Sequence, residues 1–132
     1  MGVRILIIEA DPDLNRLLHV LLETDGYEVT TTFATDAALA RARRETFDLI
    51  IYDWDLDDLR GQLLLDTLVT ELPLHTIPLL LICGRAPAAS IANALGMSGT
   101  PMIEKPFDLR LFTRQVAALV HPRERAVGAA VL

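Results

Sequence analysis

Val3-Arg4-Ile5-Leu6-Ile7-Ile8-Glu9-Ala10-Asp11-Pro12 is the stretch from which the fold is read. Its first six residues are apolar apart from Arg4 and rich in β-branched side chains. The apolarity is continuous rather than alternating, the pattern of a strand covered on both faces in a parallel sheet. The stretch then turns polar, and Asp11-Pro12 supplies an N-cap and a first-turn proline for a helix. A strand, an acidic loop and a helix start follow one another within a few residues.

The same sequence of events recurs along the chain. Leu14, Leu17, Leu18, Leu21 and Leu22 fall at i, i+3, i+4, i+7 and i+8, which predicts a helix with one leucine stripe against a core and Gly26 closing it. Tyr27 to Thr32 predicts a second, more polar strand at a sheet edge, after which Thr35 is expected to cap an Ala-rich helix ending near Glu45. Residues 48–53 predict the third strand, 62–72 a helix stopped by Pro73, 77–83 the fourth strand, 86–95 a short helix and 101–104 a short fifth strand. Asp108 is placed to cap a last helix carrying Leu109, Phe112, Val116, Leu119 and Val120. Strict strand–helix alternation implies an α/β fold with a doubly wound parallel sheet and right-handed crossovers. One domain over residues 1–120 is expected, followed by a flexible tail over 121–132.

Composition narrows the function. The 132 residues are 52% hydrophobic and 23% charged, which suits one globular domain burying roughly two-thirds of its surface. Eighteen acidic against twelve basic residues give a formal charge of −6, the wrong sign for a generic nucleic-acid or anionic-membrane surface. The lone cysteine, Cys83, excludes an internal disulfide, and no Cys/His spacing suits zinc. The apolar run before Glu9 is too short for a secretory signal and no stretch approaches a membrane span, so a cytoplasmic protein is expected.

Chemistry in such sheets gathers at the carboxyl ends of the strands. Strand one ends in Glu9-Ala10-Asp11, strand three in Asp53-Trp54-Asp55, strand four in Cys83-Gly84 and strand five in Glu104-Lys105-Pro106. Two carboxylates from different strands, a lysine and a thiol are therefore expected at one rim. Crowded carboxylates ionise together only with a cation beside them, and oxygen donors favour magnesium over zinc. Each residue also has a plainer reading: the acids as solvated loop residues, Lys105 as a surface lysine, Cys83 as an inert core thiol. His19, His75 and His121 lack metal spacing.

Through Arg4 to Asp13, through Phe47 to Asp53 with Gly61 eight residues on, and through Glu104-Lys105-Pro106-Phe107, the chain resembles the receiver domain of bacterial two-component response regulators. The resemblance implies a flavodoxin-like, CheY-like (βα)5 sheet of order 2-1-3-4-5 and a signalling module rather than an enzyme. It implies Asp53 as phosphoacceptor and Lys105 as phosphate contact. It also implies Mg2+ held by Glu9, Asp53 and the backbone carbonyl of Asp55, and a sensor histidine kinase or phosphotransfer protein as donor. Three positions depart from the family's pattern. Ala10 replaces the second acid, the principal metal anchor, so magnesium binding is expected to be weak. Cys83 replaces the switch hydroxyl, and Met102 the switching aromatic.

The reading is an atypical, stand-alone receiver with reduced magnesium dependence. The alternative is a pseudo-receiver, an interaction module set by partner binding without phosphorylation. Asp53-Trp54-Asp55 is also similar to the Asp-x-Asp signature of haloacid-dehalogenase-type phosphatases, but there it opens the first strand and here it ends the third. From Ala86 to Ile103 there is no charged residue, which suggests a face for an output protein or a homodimer.

Overall fold

The computed structural model of the chain describes residues 2–53, 77–84 and 101–121. In order, these form β1 (Arg4–Ile8), α1 (Pro12–Thr24), β2 (Glu28–Thr32), α2 (Thr35–Arg44), β3 (Leu49–Asp53), β4 (Leu79–Cys83), β5 (Met102–Glu104) and α3 (Leu109–Val120). All neighbouring strands pair in parallel, in the order β2-β1-β3-β4-β5. The expected helices over 62–72 and 86–95, the residues of the uncharged face before Pro101 and the tail beyond His121 lie outside the described residues.

Continuous apolarity has the predicted meaning. Every residue of β3 and β4 is buried, as is all of β1 but Arg4. Alternate residues feed two cores. Leu6, Ile8, Ile50, Tyr52, Leu79 and Leu81 meet Ala38 and Ala42 of α2 on one face. Ile5, Ile7, Leu49, Ile51, Leu80 and Ile82 meet Leu18 and Leu22 of α1 and Phe112 and Val116 of α3 on the other. Each fully buried Ile or Leu contributes about 1.5–3 kcal/mol, so the central strands are the rigid part on which anything at their ends is mounted. β2 is the polar edge strand.

Caps set the helix starts. Asp11 accepts a hydrogen bond from the Asp13 amide at 2.9 Å, and Asp108 one from the Arg110 amide at 2.7 Å. Gly26 follows α1 with φ +93°, a conformation that L side chains rarely adopt. Two local expectations fail. The cap position of α2 is Ala34, without a side-chain hydrogen bond, and Thr35 is already helical. Leu17, expected in the stripe, is 45% exposed, whereas Asn15 is 3% exposed. At about 100° per residue, Asn15 lies only about 20° beyond Leu22 on the helix circumference while Leu17 lies about 100° from Leu18. The sheet covers the Leu18–Leu22 side, so the buried arc is rotated off the centre of the leucine stripe.

Candidate functional site

Sheet register builds the site. Ile8 pairs with Tyr52, so the next residues, Glu9 and Asp53, leave adjacent strands at the same level. Cys83 pairs with Glu104, and the Lys105 amide donates to the Cys83 carbonyl at 2.7 Å, so Lys105 starts its loop at that rim. The Lys105–Pro106 peptide is cis. Beyond it, Phe107 packs on Phe112 with ring centroids 5.6 Å apart and Asp108 caps α3, which anchors the loop on both sides of the lysine.

These elements bring the three charged side chains together. Lys105 Nζ donates to Asp53 Oδ2 at 2.7 Å and stands 3.9 Å from Glu9 Oε1, close enough for an ion pair but beyond hydrogen-bond reach. Glu9 and Asp53 are 2% and 3% exposed, while the lysine side chain is 29% exposed. Among the described residues, two buried acids therefore face one partly exposed ammonium.

The Glu9 carboxyl is pushed up to about 8, first by burial, then by its hydrogen bond with Asp53 and by the Asp53 charge. The Lys105 ammonium and the Asp11 amide pull the other way without prevailing. At neutral pH the proton stays on Glu9, and the lysine balances Asp53.

What Glu9 can accept is correspondingly sparse. The Asp11 amide approaches Oε2 at 3.4 Å, and among the described residues nothing donates a hydrogen bond to the buried Oε1. Such an orphaned oxygen, next to a second carboxylate, fits a hard divalent cation, and magnesium is commonly held by one or two carboxylates, with waters and phosphate oxygens completing its shell. Among the described residues no three acidic, histidine or cysteine side chains form a metal-binding group. Ala10 is exposed and brings only a methyl group. Asp55, Trp54 and Gly61 lie outside the described residues.

Cys83 is fully buried in the core beneath the rim, and its thiol donates to the Ile103 carbonyl at 3.8 Å. Met102 is half-buried against the same core. Sequence reasoning missed Asn15, whose side-chain amide donates to the carbonyls of Glu9 (3.0 Å) and Thr32 (3.1 Å). A polar residue at the margin of a leucine stripe was the available signal.

Comparison with known proteins gives concordant findings. The sequence profile described as "Response regulator receiver domain" matches residues 5–117. The nisin biosynthesis regulatory protein NisR of Lactococcus lactis is 28% identical over 125 residues, covering 95% of this chain and 53% of that protein. The transcriptional regulatory protein KdpE of Staphylococcus aureus is 34% identical over 110 residues, covering 83% and 46%. The chain thus spans about half the length of these curated relatives. Among solved structures, a receiver domain protein (CheY-like) from Methanospirillum hungatei superimposes with a TM-score of 0.81 at 25% identity, covering 96% of this chain and 99% of that one. NtrX from Brucella abortus, at 24% identity and a TM-score of 0.78 over 98% of this chain and 29% of its own, shares the fold.

Proposed function

The chain belongs to the response regulator receiver domain family, and from that premise we propose that it is a phosphorelay receiver in which Asp53 accepts a phosphoryl group. Receiver domains of this family are signalling modules that work with histidine kinases and output domains. In the proposed step an Asp53 carboxylate oxygen attacks the phosphorus of a phosphohistidine on a sensor kinase or phosphotransfer protein. A P–O bond to Asp53 forms, and the electron pair of the broken P–N bond leaves with the histidine nitrogen.

Little covalent chemistry is required of the protein in such a step; positioning and charge stabilisation are. Asp53 is fixed at the end of a fully buried strand. Lys105 faces it and can shift its ammonium from the carboxylate to the phosphoryl oxygens as charge gathers there. Glu9, holding a proton at neutral pH, adds no second negative charge against the incoming phosphate. Mg2+ would be held by Glu9 and Asp53, with the Asp55 carbonyl as the third ligand implied by the family pattern, and would neutralise the transferring phosphoryl group. Because Glu9 must lose its proton to ligate, and because Ala10 supplies no carboxylate, binding is weak and stronger at high pH.

The observation that carries this reading is the 2.7 Å ion pair between Lys105 and Asp53 at a rim assembled from three strands. The test is incubation with acetyl phosphate and Mg2+ followed by intact-mass measurement. One phosphoryl adduct is expected, absent in Asp53→Asn; an adduct that survives in Asp53→Asn overturns the assignment. Ala10 favours a second reading, an interaction module set by partner binding alone. No adduct and no response of Trp54 fluorescence to magnesium is the outcome for that case. In either case the uncharged stretch from Ala86 to Ile103 is the surface proposed for an output protein or a second copy.

No helix among the described residues is long and apolar enough to cross a membrane.

A further inference from the structure

Glu9 stands at the end of β1 in a three-residue loop, Glu9-Ala10-Asp11, that joins the strand to α1. A glutamate has three side-chain torsions, so its carboxylate stays beside Asp53 only if the backbone beneath it is fixed. One residue touches both ends of that loop. The Asn15 backbone amide donates to the Asp11 carbonyl at 2.9 Å, and its side-chain Nδ2 donates to the Glu9 carbonyl at 3.0 Å. The same Nδ2 donates to the Thr32 carbonyl at 3.1 Å, and that carbonyl also accepts from the Glu9 amide at 3.0 Å.

Several features show that this clamp is specific to the side-chain amide. Both partners of Nδ2 are carbonyl oxygens, so the amide has one orientation, with one N–H for each. The Glu9 carbonyl lies just past the end of β1 and the Thr32 carbonyl belongs to the last residue of β2, so Nδ2 bridges the two strands where their pairing stops. Asn15 is 3% exposed, in a position where helix periodicity alone would suit another leucine. Thr32 adds a further tie, its hydroxyl donating to the Ile7 carbonyl at 2.9 Å. The ends of β1 and β2 and the first turn of α1 are thereby locked around Glu9.

We infer that Asn15 is a positioning residue, which holds the Glu9-Ala10-Asp11 loop so that the Glu9 carboxylate is presented to Asp53 and to a divalent cation. The metal part of this inference rests on the function proposed above; the positioning part does not. With no acid at position 10, the direction of Glu9 is the whole contribution of the β1 end, and partners that orient a ligand commonly alter metal affinity by ~10–100-fold.

The test uses the full chain carrying Asn15→Leu, which keeps the branched shape and removes both donors, and Asn15→Ser, which keeps a single short donor. Three quantities are read: thermal melting, the 13C resonance of the Glu9 carboxyl in metal-free protein, and the Mg2+ concentration for half-maximal change in Trp54 fluorescence. In a cooperatively melting Asn15→Leu the Glu9 resonance is expected to move and the magnesium midpoint to rise about tenfold, with Asn15→Ser between it and the parent. If Asn15→Leu does not fold, Asn15→Ser is read alone with the same expectation. A Glu9 resonance that stays in place in a folded variant overturns the positioning role. A resonance that moves while the parent chain itself ignores magnesium supports the positioning role and overturns the metal reading.

Discussion

The two ends of the sheet each carry a glutamate beside a cation, and the two glutamates behave in opposite ways. At the amino end, Glu45 pairs with Arg41 and Arg4, and Arg4 also reaches Glu28 at 3.5 Å, lies 5.2 Å over the Phe47 ring and donates its amide to Asp48 at 2.8 Å. The Glu45 carboxyl is lowered to about 2, first by its hydrogen bonds from Arg41 and Arg4. At the carboxyl end, Glu9 is raised to about 8, first by burial. The difference lies in neutralisation and water. The Glu45 carboxylate has two arginines and keeps contact with solvent, whereas at the carboxyl end, among the described residues, Glu9 and Asp53 are both buried and both face Lys105. A solvated ion-pair cluster is a structural fastening; a buried acid pair with a raised carboxyl is the arrangement expected of a functional site.

The largest expected effect comes from removing Lys105, the cation that faces Glu9 and Asp53 at the carboxyl end. Lys105→Met should lower the rate of adduct formation from acetyl phosphate by ~10²-fold or more at saturating Mg2+; a rate within twofold of the parent would show that Lys105 is a bystander. Adding an acid there sharpens the contrast in the other direction. Ala10→Asp should tighten magnesium binding by ~10-fold or more, read as a lower midpoint in a Trp54 fluorescence titration. An unchanged midpoint would mean that position 10 does not face the metal.

A smaller effect separates the two ends by the sign of their pH dependence. Glu9 has a folded value of about 8 against an ordinary 4.5, so between these values the folded chain binds more protons than the unfolded one. Its contribution is fully present below about 4.5 and is lost as pH rises towards 8, on the order of a few kcal/mol. Glu9→Gln should flatten that part of a metal-free stability–pH curve. Glu45 has the opposite sign: its contribution is present above 4.5 and is lost as pH falls towards 2. The smallest effect is that of Glu45→Gln, a slight loss of melting temperature near neutral pH that shrinks in high salt, because the cluster is partly exposed to solvent. A large loss at Glu45, or none of the predicted slope at Glu9, would erase the distinction between the two ends.

Much of this contrast was legible in the sequence. Burial on both faces of a parallel sheet writes a continuous apolar run, so β1, β3 and β4 were readable, and the residues following them, Glu9, Asp53 and Lys105, were thereby placed at one rim. Asn15 was not readable, because periodicity weighs a stripe by hydrophobicity, and here tertiary packing rotates the buried arc so that Leu17 faces water and Asn15 faces carbonyls. Nor could composition say which glutamate keeps its proton. That depends on burial for Glu9 and on hydrogen bonds from two arginines for Glu45, both set by strand register and tertiary packing.

The most direct measurement is a 13C titration of the Glu9 carboxyl, in metal-free protein and again with Mg2+. A proton held on the buried Glu9 carboxyl predicts a midpoint near 8 without metal, moving down as magnesium is added and competes for the same oxygens. A midpoint at the ordinary 4.5 in both conditions would contradict it.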